Sequence, residues 1–441
     1  MRAFLERAFR LSENGTTVRR EILGGATTFM TMSYIIFVQP AVLGAAGMDK
    51  GAVMTATCLA SALATLLTGL LARYPIAQAP AMGHNVFFAV VVCGTMGYTW
   101  QVALGANFLS GLIFLALALL GVWGKVVAAV PDGLKYGISV GIGLLIAMVG
   151  LEYGGLVVAR PGVLVGLGDL GSPPVLLALF GLALTAVLMA VRFPGAILAG
   201  ILATALAGIP FGIVEFHGLT APVPSLAPTF LRLDIAGALR TGLVSVVFVF
   251  FLLDVFDAIG TLIGVGGAGG FLKDGRLPRA DKAMLADAAG TVGGVLLGTS
   301  TVSSYIESVT GIAQGARTGL ANIVTSALFL CALFFSPLAQ MISGEVVSGG
   351  MVLRPVIAPA LIVVGSLMMK CVRFIDWDDP TEALPAFLSI IVMPLTMSIT
   401  EGISFGLIAY VLLKVAAGQG RRIHWLLHVF AALFVLRYVL K

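Results

Sequence analysis

Residues 244–265 read VSVVFVFFLLDVFDAIGTLIGV, 22 positions in which the only ionisable side chains are Asp254 and Asp257. About 20 apolar residues cross the hydrocarbon core of a bilayer, so this run has the length of a membrane helix with two carboxyl groups near its middle. An ionisable group at that depth is costly, and it faces the interior of a bundle or a cavity as a functional candidate. Spacings of three and four place Asp254, Asp257 and Thr261 along one helical stripe, so the three side chains look into the same cavity.

The rest of the chain has the same character. Its 441 residues are 59% hydrophobic and 11% charged, with 55 glycines and a mean hydropathy of +1.06. Soluble globular domains do not approach that composition, which predicts an all-α polytopic membrane protein and excludes secreted folds and bitopic receptors. A net charge of +5 is too small an excess to indicate nucleic acid as a partner. Cys58, Cys93, Cys331 and Cys371 lie in or at the ends of apolar runs without CxxC spacing, so neither a disulfide framework nor a zinc site is indicated. Residues 1–21 carry Arg2, Arg7, Arg10, Arg19 and Arg20 and no uninterrupted apolar core, which argues against a signal peptide. Phe4, Leu5, Ala8 and Phe9 share one helical face there, the pattern of a helix lying at the interface.

Apolar length places crossings at about 22–44, 51–72, 76–93, 99–124, 131–151, 174–191 and 194–211. A second set of seven falls at about 238–266, 282–298, 300–315, 318–343, 354–372, 383–399 and 401–417. With the N-terminus inside, 21 of the 26 Lys and Arg residues fall on the cytoplasmic side and five (Lys50, Arg160, Arg232, Arg240, Arg354) on the other. That asymmetry sets both termini in the cytoplasm. It also makes residues 424–440 a cytoplasmic interfacial helix, because a fifteenth crossing would carry Arg437 and Lys441 outside. His424 and His428, one turn apart on it, read as ordinary surface residues and not as a metal site.

Two halves with an odd number of crossings have opposite topology, the inverted repeat of secondary transporters. The organisation expected is a cytoplasmic segment 1–21, a first repeat 22–211, an extracytoplasmic linker 212–237, a second repeat 238–417 and a C-terminal helix in 418–441. The third and tenth crossings are poor helices: YPIAQAPAMGHN at 74–85 is broken by Pro75, Pro80 and Gly83, and GTSTVSSYIES at 298–308 is a run of small hydroxylated residues. Asn85 and Glu307 lie 222 positions apart, close to half the chain, as equivalent positions in two repeats should. Unwound backbone at membrane depth is tolerated only around a protein-lined cavity, so both segments point to one central site.

Glu307 is a third buried acid, beside Ser303, Ser304, Tyr305 and Ser308. Several carboxyl groups around one cavity without cations do not all ionise, which makes one of them a proton carrier. A carboxylate also accepts two hydrogen bonds in a plane, which suits a flat ligand presenting N–H groups, and Asn85 offers a donor and an acceptor together. Phe87 and Phe88 read as core rather than as a stacking platform. Asp287, in a crossing of small residues, is placed either to cap the neighbouring broken helix or to take part in coupling. No Lys or Arg lies at matching depth in any crossing. An aspartyl hydrolase is disfavoured because Asp254 and Asp257 share one helix, where such a dyad converges from two.

At these residues the chain resembles the AzgA-like hypoxanthine, guanine and adenine permeases of the nucleobase:cation symporters, within the xanthine/uracil permease family. The resemblance spans nearly the whole chain. It is carried by TFMTMSYIIFVQP at 28–40, APAMGHNVFF at 79–88, DVFDAIGT at 254–261, ADAAGT at 286–291, GTSTVSSYIES at 298–308 and GARTGL at 315–320. It implies fourteen crossings in two inverted repeats of seven, a core domain moving against a gate domain, and import of a purine base across the inner membrane with a proton as coupling ion and no other cofactor. It further implies substrate contacts at Asn85, Asp254 and Glu307 and an important role for Asp257; beside them Gly83 and Ser303 are candidate substrate contacts, and Thr261 and Asp287, with Asp257, candidates for coupling or helix positioning. A homodimer is expected from the resemblance alone. The chain departs from the family pattern at His84 and Gln39, where the pattern has leucine and asparagine; His84, beside Asn85, either titrates near neutrality and alters coupling or the base preferred, or faces the gate, and the second is the expectation. The competing reading is an anion transporter of the same architecture, for sulfate, bicarbonate or a dicarboxylate; helix N-termini at a cavity favour anions, whereas three acids without a buried Arg oppose them.

Overall fold

A computed structural model describes all residues except 1–5, 7, 122–130, 161–162, 194, 217, 241–242, 272–276, 343, 349–350 and 440–441. Phe4 and Leu5 of the expected interfacial face lie outside the described residues, as do Arg2, Arg7, Lys125, Lys273, Arg276 and Lys441 among the cytoplasmic cations. Phe9, from the same face, is buried with Leu11 against Leu320 and Val18, so this end of the face packs on protein.

The chain begins with α1 (Val18–Met32), capped by the Thr17 side chain, and α2 (Ile35–Gly44). Helix α3 (Lys50–Leu71) starts where the Asp49 carboxylate accepts the Ala52 N–H at 2.7 Å, satisfying one of the free donors of a first turn. Strand β1 (Gln78–Pro80), α4 (Met82–Val86) and a π-helical stretch Phe87–Thr95 follow. Then come α5 (Trp100–Leu119), α6 (Asp132–Tyr153), a hairpin of β2 (Val157–Arg160) and β3 (Val163–Leu167), α7 (Pro173–Ala190) and α8 (Ala196–Gly208). The second half runs α9 (Ile235–Arg240), α10 (Val244–Ala268), α11 (Ala280–Leu297), β4 (Val302–Ser304), α12 (Ser308–Ala313), α13 (Leu320–Ala332) and α14 (Ser336–Ile342). It closes with a hairpin of β5 (Val346–Ser348) and β6 (Met351–Leu353), then α15 (Ala358–Met368), α16 (Pro380–Thr396), α17 (Ile399–Ala416) and α18 (Trp425–Val439).

Among the described residues, six helical spans are long and apolar enough to cross a bilayer: Val18–Gly44, Lys50–Leu71, Trp100–Leu119, Asp132–Tyr153, Pro173–Ala190 and Leu320–Leu338. Shorter apolar helices include Met82–Thr95, Ala196–Gly208, Val244–Val255, Pro380–Thr396 and Trp425–Leu436. The first span starts at Val18, four residues before the expected boundary, so Glu21 belongs to it.

Two compact units each draw on both halves of the chain: residues 1–119 with 150–360, and 120–149 with 361–441. In the first, α1 packs on α12 and α13, α3 on α11 and α13, and α5 on α10 and α11. Small residues permit the closest of these approaches, since a Cβ on Gly319 would lie 1.9 Å from the Gly69 carbonyl oxygen. In the second, α17 packs on α16 and α18, and Val140, Ile375, Ala386 and Ile390 form an apolar cluster.

The two interrupted segments are extended at their starts and helical afterwards, and their extended parts pair with each other. Strands β1 and β4 form an antiparallel ribbon in the register Gln78↔Ser304, Ala79↔Ser303, Pro80↔Val302. Pro80 thus opposes the residue 222 positions on, the offset that separates Asn85 from Glu307. Helix α11 is released into β4 by Gly298, whose φ of +94° suits glycine and whose Cβ would meet Thr229 at 2.3 Å.

Candidate functional site

Each short helix leaves the ribbon directly, α4 from β1 and α12 from β4, so the ribbon register sets which side chains turn towards α10. Asp254 is 1% exposed. One of its oxygens lies 2.9 Å from His84 Nε2, and the other accepts the Ser110 hydroxyl at 2.6 Å. The His84 ring stacks on Phe250, one turn before Asp254, at 6.5 Å and 12°. Phe87 meets Phe250 edge-on at 4.9 Å, and Phe87 and Phe88 are both fully buried, as core residues are.

This geometry overturns the expectation that His84 faces a gate. A strand precedes α4, so its helical phase follows from the β1–β4 pairing and not from a continuous helix starting near Pro75. That phase turns the imidazole to α10, where a desolvated carboxylate requires a donor.

Asn85 is fully buried and accepts the Ser300 hydroxyl at its Oδ1, with its amide nitrogen 3.7 Å from the Met82 sulfur. Ser300 accepts in turn from Gln39 Nε2 at 3.1 Å, which also donates to Thr299 Oγ1 at 2.9 Å. Asn85 therefore joins the two broken segments, with Gln39 of α2 fastened to the same point. Thr301 donates to Asn107 Oδ1 at 2.7 Å. Glu307, half-buried at the N-cap position of α12, accepts the Tyr34 hydroxyl at 2.9 Å. The Tyr305 hydroxyl donates to the Pro80 carbonyl at 2.6 Å.

Asp257 is half-buried beside Ser303 of β4. Asp287 is fully buried, its Oδ2 3.5 Å from the Ser304 hydroxyl, so it reaches the strand and not the first turn of the broken helix. Gly83 lies partly exposed in the first turn of α4, and Thr261 is half-buried one turn beyond Asp257. The ribbon thus gathers Asn85, Asp254, Asp257, Asp287, Ser303 and Glu307 within the first unit. Among the described residues, His84 is the basic side chain at ion-pair distance from these acids. Gln39 Oε1, Gln78 Oε1, Asn107 Nδ2, Asp287 Oδ1 and Ser303 Oγ are buried without a hydrogen-bond partner among the described residues, as are His84 Nε2 and Asp254 Oδ1, which meet at 2.9 Å without hydrogen-bond alignment. A buried polar group left unpaired costs about 1–3 kcal/mol, so the cluster has capacity for a polar ligand.

Two buried cations correct the sequence reading, which left none inside. Arg354 and Lys414 are each 8% exposed. Arg354 pairs with Glu345 at 2.9 Å and lies 4.5 Å over the Tyr153 ring, while Lys414 pairs with Glu382 at 2.9 Å and Asp379 at 3.4 Å. Local partners neutralise both, so neither offsets the acids of the ribbon.

Several functional neighbours escaped the sequence reading. Asn107 and Ser110, three apart on an apolar helix, share one face, and that pattern was the available signal. Tyr34 stood inside an apolar run without a spacing to single it out, and Gln39 stood out only as a departure from the family pattern. Glu21, fully buried, accepts the backbone N–H groups of Arg317 at 2.7 Å, Thr318 at 3.1 Å and Ala321 at 3.1 Å. It therefore caps α13 from 296 or more residues away, and nothing local to Glu21 announces that.

The model of the Permease family, the xanthine/uracil permeases, matches residues 19–405. The chain is 42% identical to the adenine permease AdeP of Escherichia coli over 436 residues, covering 99% of this chain and 96% of AdeP. It is 44% identical to the guanine/hypoxanthine permease PbuG of Bacillus subtilis over 443 residues, covering 98% of each. Among solved structures, the transmembrane domain of the cyanobacterial bicarbonate transporter BicA superposes with a TM-score of 0.62 at 18% identity, covering 89% of this chain and 97% of that one, a likeness of fold alone. With a family match across most of its length and full-length relatives on both sides, the chain belongs to the xanthine/uracil permease family, a family of transporters and not of enzymes.

Proposed function

We propose that this protein imports a purine nucleobase across the cytoplasmic membrane by proton symport and alternating access, with fourteen crossings and both termini inside. The observation that carries the reading is the grouping of Asn85, Asp254, Asp257, Asp287 and Glu307 around the β1–β4 ribbon. Full-length relatives named as adenine and guanine/hypoxanthine permeases supply the substrate class. In this reading a base donates N–H groups to Asp254 and Glu307 and pairs with the Asn85 amide. A proton taken up by one of the acids neutralises the loaded site, since a charged and unpaired carboxylate would oppose passage through a low-dielectric state. The acids speak against an anion as substrate.

The test is uptake of radiolabelled adenine, guanine and hypoxanthine in permease-deficient cells, with and without a protonophore. Wild type is compared with Asp254→Ala and Glu307→Gln at matched surface expression. Protonophore-sensitive uptake of one base, lost in both variants, is the expected result. Well-expressed wild type that takes up no purine would refute the substrate class, and protonophore-insensitive uptake would refute the coupling.

A further inference from the structure

Both Asp254 oxygens are approached by a side chain. His84 Nε2 lies 2.9 Å from one, at ion-pair distance but out of hydrogen-bond alignment, and the Ser110 hydroxyl donates to the other at 2.6 Å, with His84 and Asp254 2% and 1% exposed. The imidazole is fixed from two directions, by its place on α4 immediately after the β1–β4 ribbon and by the Phe250 ring parallel to it. A ligand that uses Asp254 as a hydrogen-bond acceptor must therefore displace a side chain already bound there.

We propose that His84 is an affinity- and specificity-determining residue that acts as an internal ligand of Asp254, holding the acceptor a substrate N–H group takes on binding. This rests on the reading of Asp254 as a substrate contact. Two consequences follow from the chemistry. The empty site keeps His84 Nε2 seated against the carboxylate in place of a ligand. Bound base gains only the difference between its own hydrogen bond and the His84 contact it replaces, so weak donors are rejected. Ser110 does not substitute for His84, being neutral and already committed to the second oxygen.

The variants are His84→Leu, which removes the donor while filling the space with an apolar side chain, and His84→Gln, which keeps a donor on a side chain of similar reach. A first readout needs no substrate: adduct formation at Asp254 by dicyclohexylcarbodiimide, an apolar reagent for buried protonated carboxyl groups, quantified by peptide mass spectrometry on purified full-length protein. The second is the equilibrium Kd for adenine, guanine and hypoxanthine on the same preparations. Removing one close polar contact to a buried carboxylate corresponds to roughly a tenfold change in such equilibria. His84→Leu is thus expected to raise the Asp254 adduct about tenfold and to tighten base binding by a similar factor, with His84→Gln near wild type.

An unchanged adduct yield in a folded His84→Leu protein would overturn the proposal, because Asp254 would then not be shielded by the imidazole. A raised yield with weaker base binding would overturn it as well, making His84 a support for the site and not a competitor. A raised yield with no purine bound by wild type or variant would uphold the internal pairing and refute the purine reading instead, so the two failures are distinguishable.

Discussion

Replacing Glu21 tests whether a carboxylate at the start of the first crossing organises the far half of the chain. In Glu21→Ala three backbone N–H groups lose their acceptor, those of Arg317 and Thr318 just before α13 and that of Ala321 in its first turn, the last two of them in buried hydrogen bonds. Loss of a helix cap costs about 0.5–2 kcal/mol, and hydrogen bonds to a charged acceptor about 1.5–3 kcal/mol each. These bonds are not additive, and removing the carboxylate also removes its own desolvation cost, so a net loss of roughly 2–4 kcal/mol is expected. In Glu21→Gln one oxygen still serves Arg317 and Thr318, but the new amide NH₂ confronts the Ala321 N–H, which gives an intermediate loss. The measurement is the apparent melting temperature of detergent-purified protein by fluorescence-detected gel filtration, alongside uptake at matched expression. A fall of roughly 5 °C or more is expected for Glu21→Ala, with a smaller fall for Glu21→Gln. Because α1 packs on α12, which Glu307 precedes, as well as on α13, uptake should decline with the same ranking. A Glu21→Ala protein that melts and transports like wild type would refute the capping argument.

Three further outcomes are expected. Gly319→Ala would drive a Cβ to 1.9 Å from the Gly69 carbonyl, separating α3 from the start of α13, so the monodisperse peak should be largely lost and its retention would contradict the close approach. Tyr34→Phe removes the donor 2.9 Å from Glu307, and the half-saturating base concentration in uptake assays should rise roughly three- to tenfold, an unchanged value counting against the contact. Burial pushes the Glu345 carboxyl up, but the hydrogen bond and charge of Arg354, with Lys50, hold it below its ordinary value. A group depressed in the folded state contributes stability above its unfolded pKa of about 4.3 and loses it as pH falls through the folded value. The melting temperature of wild type should therefore decline more steeply than that of Glu345→Gln below about pH 4.5, and parallel curves would refute the linkage.

The broken segments were legible because their causes are local. Pro75, Pro80 and Gly83 interrupt one helix, a hydroxylated run interrupts the other, and the 222-residue offset between Asn85 and Glu307 relates the two. The acids of 244–265 were legible for the same reason, since a charge in an apolar run stands out whatever it later touches. His84 was misplaced because the phase of α4 depends on a strand pairing across more than 200 residues. Arg354 was taken for a loop residue because its burial against Tyr153 and Glu345 arises from packing and not from the sequence around it.

Membrane class, the placement of apolar segments, the two interruptions and the stripe of Asp254, Asp257 and Thr261 follow from the sequence by itself. Each is a property of about 20 consecutive residues, the length over which bilayer thickness and helical period act. Which groups meet was decided by tertiary structure alone: His84 on Asp254, Ser110 on the same carboxylate, Asn85 on Ser300, and Glu21 on the start of α13. Those contacts join residues 144 to 300 positions apart. They depend on the rotation of each helix about its axis and on the register of the β1–β4 ribbon, which only the assembled packing sets.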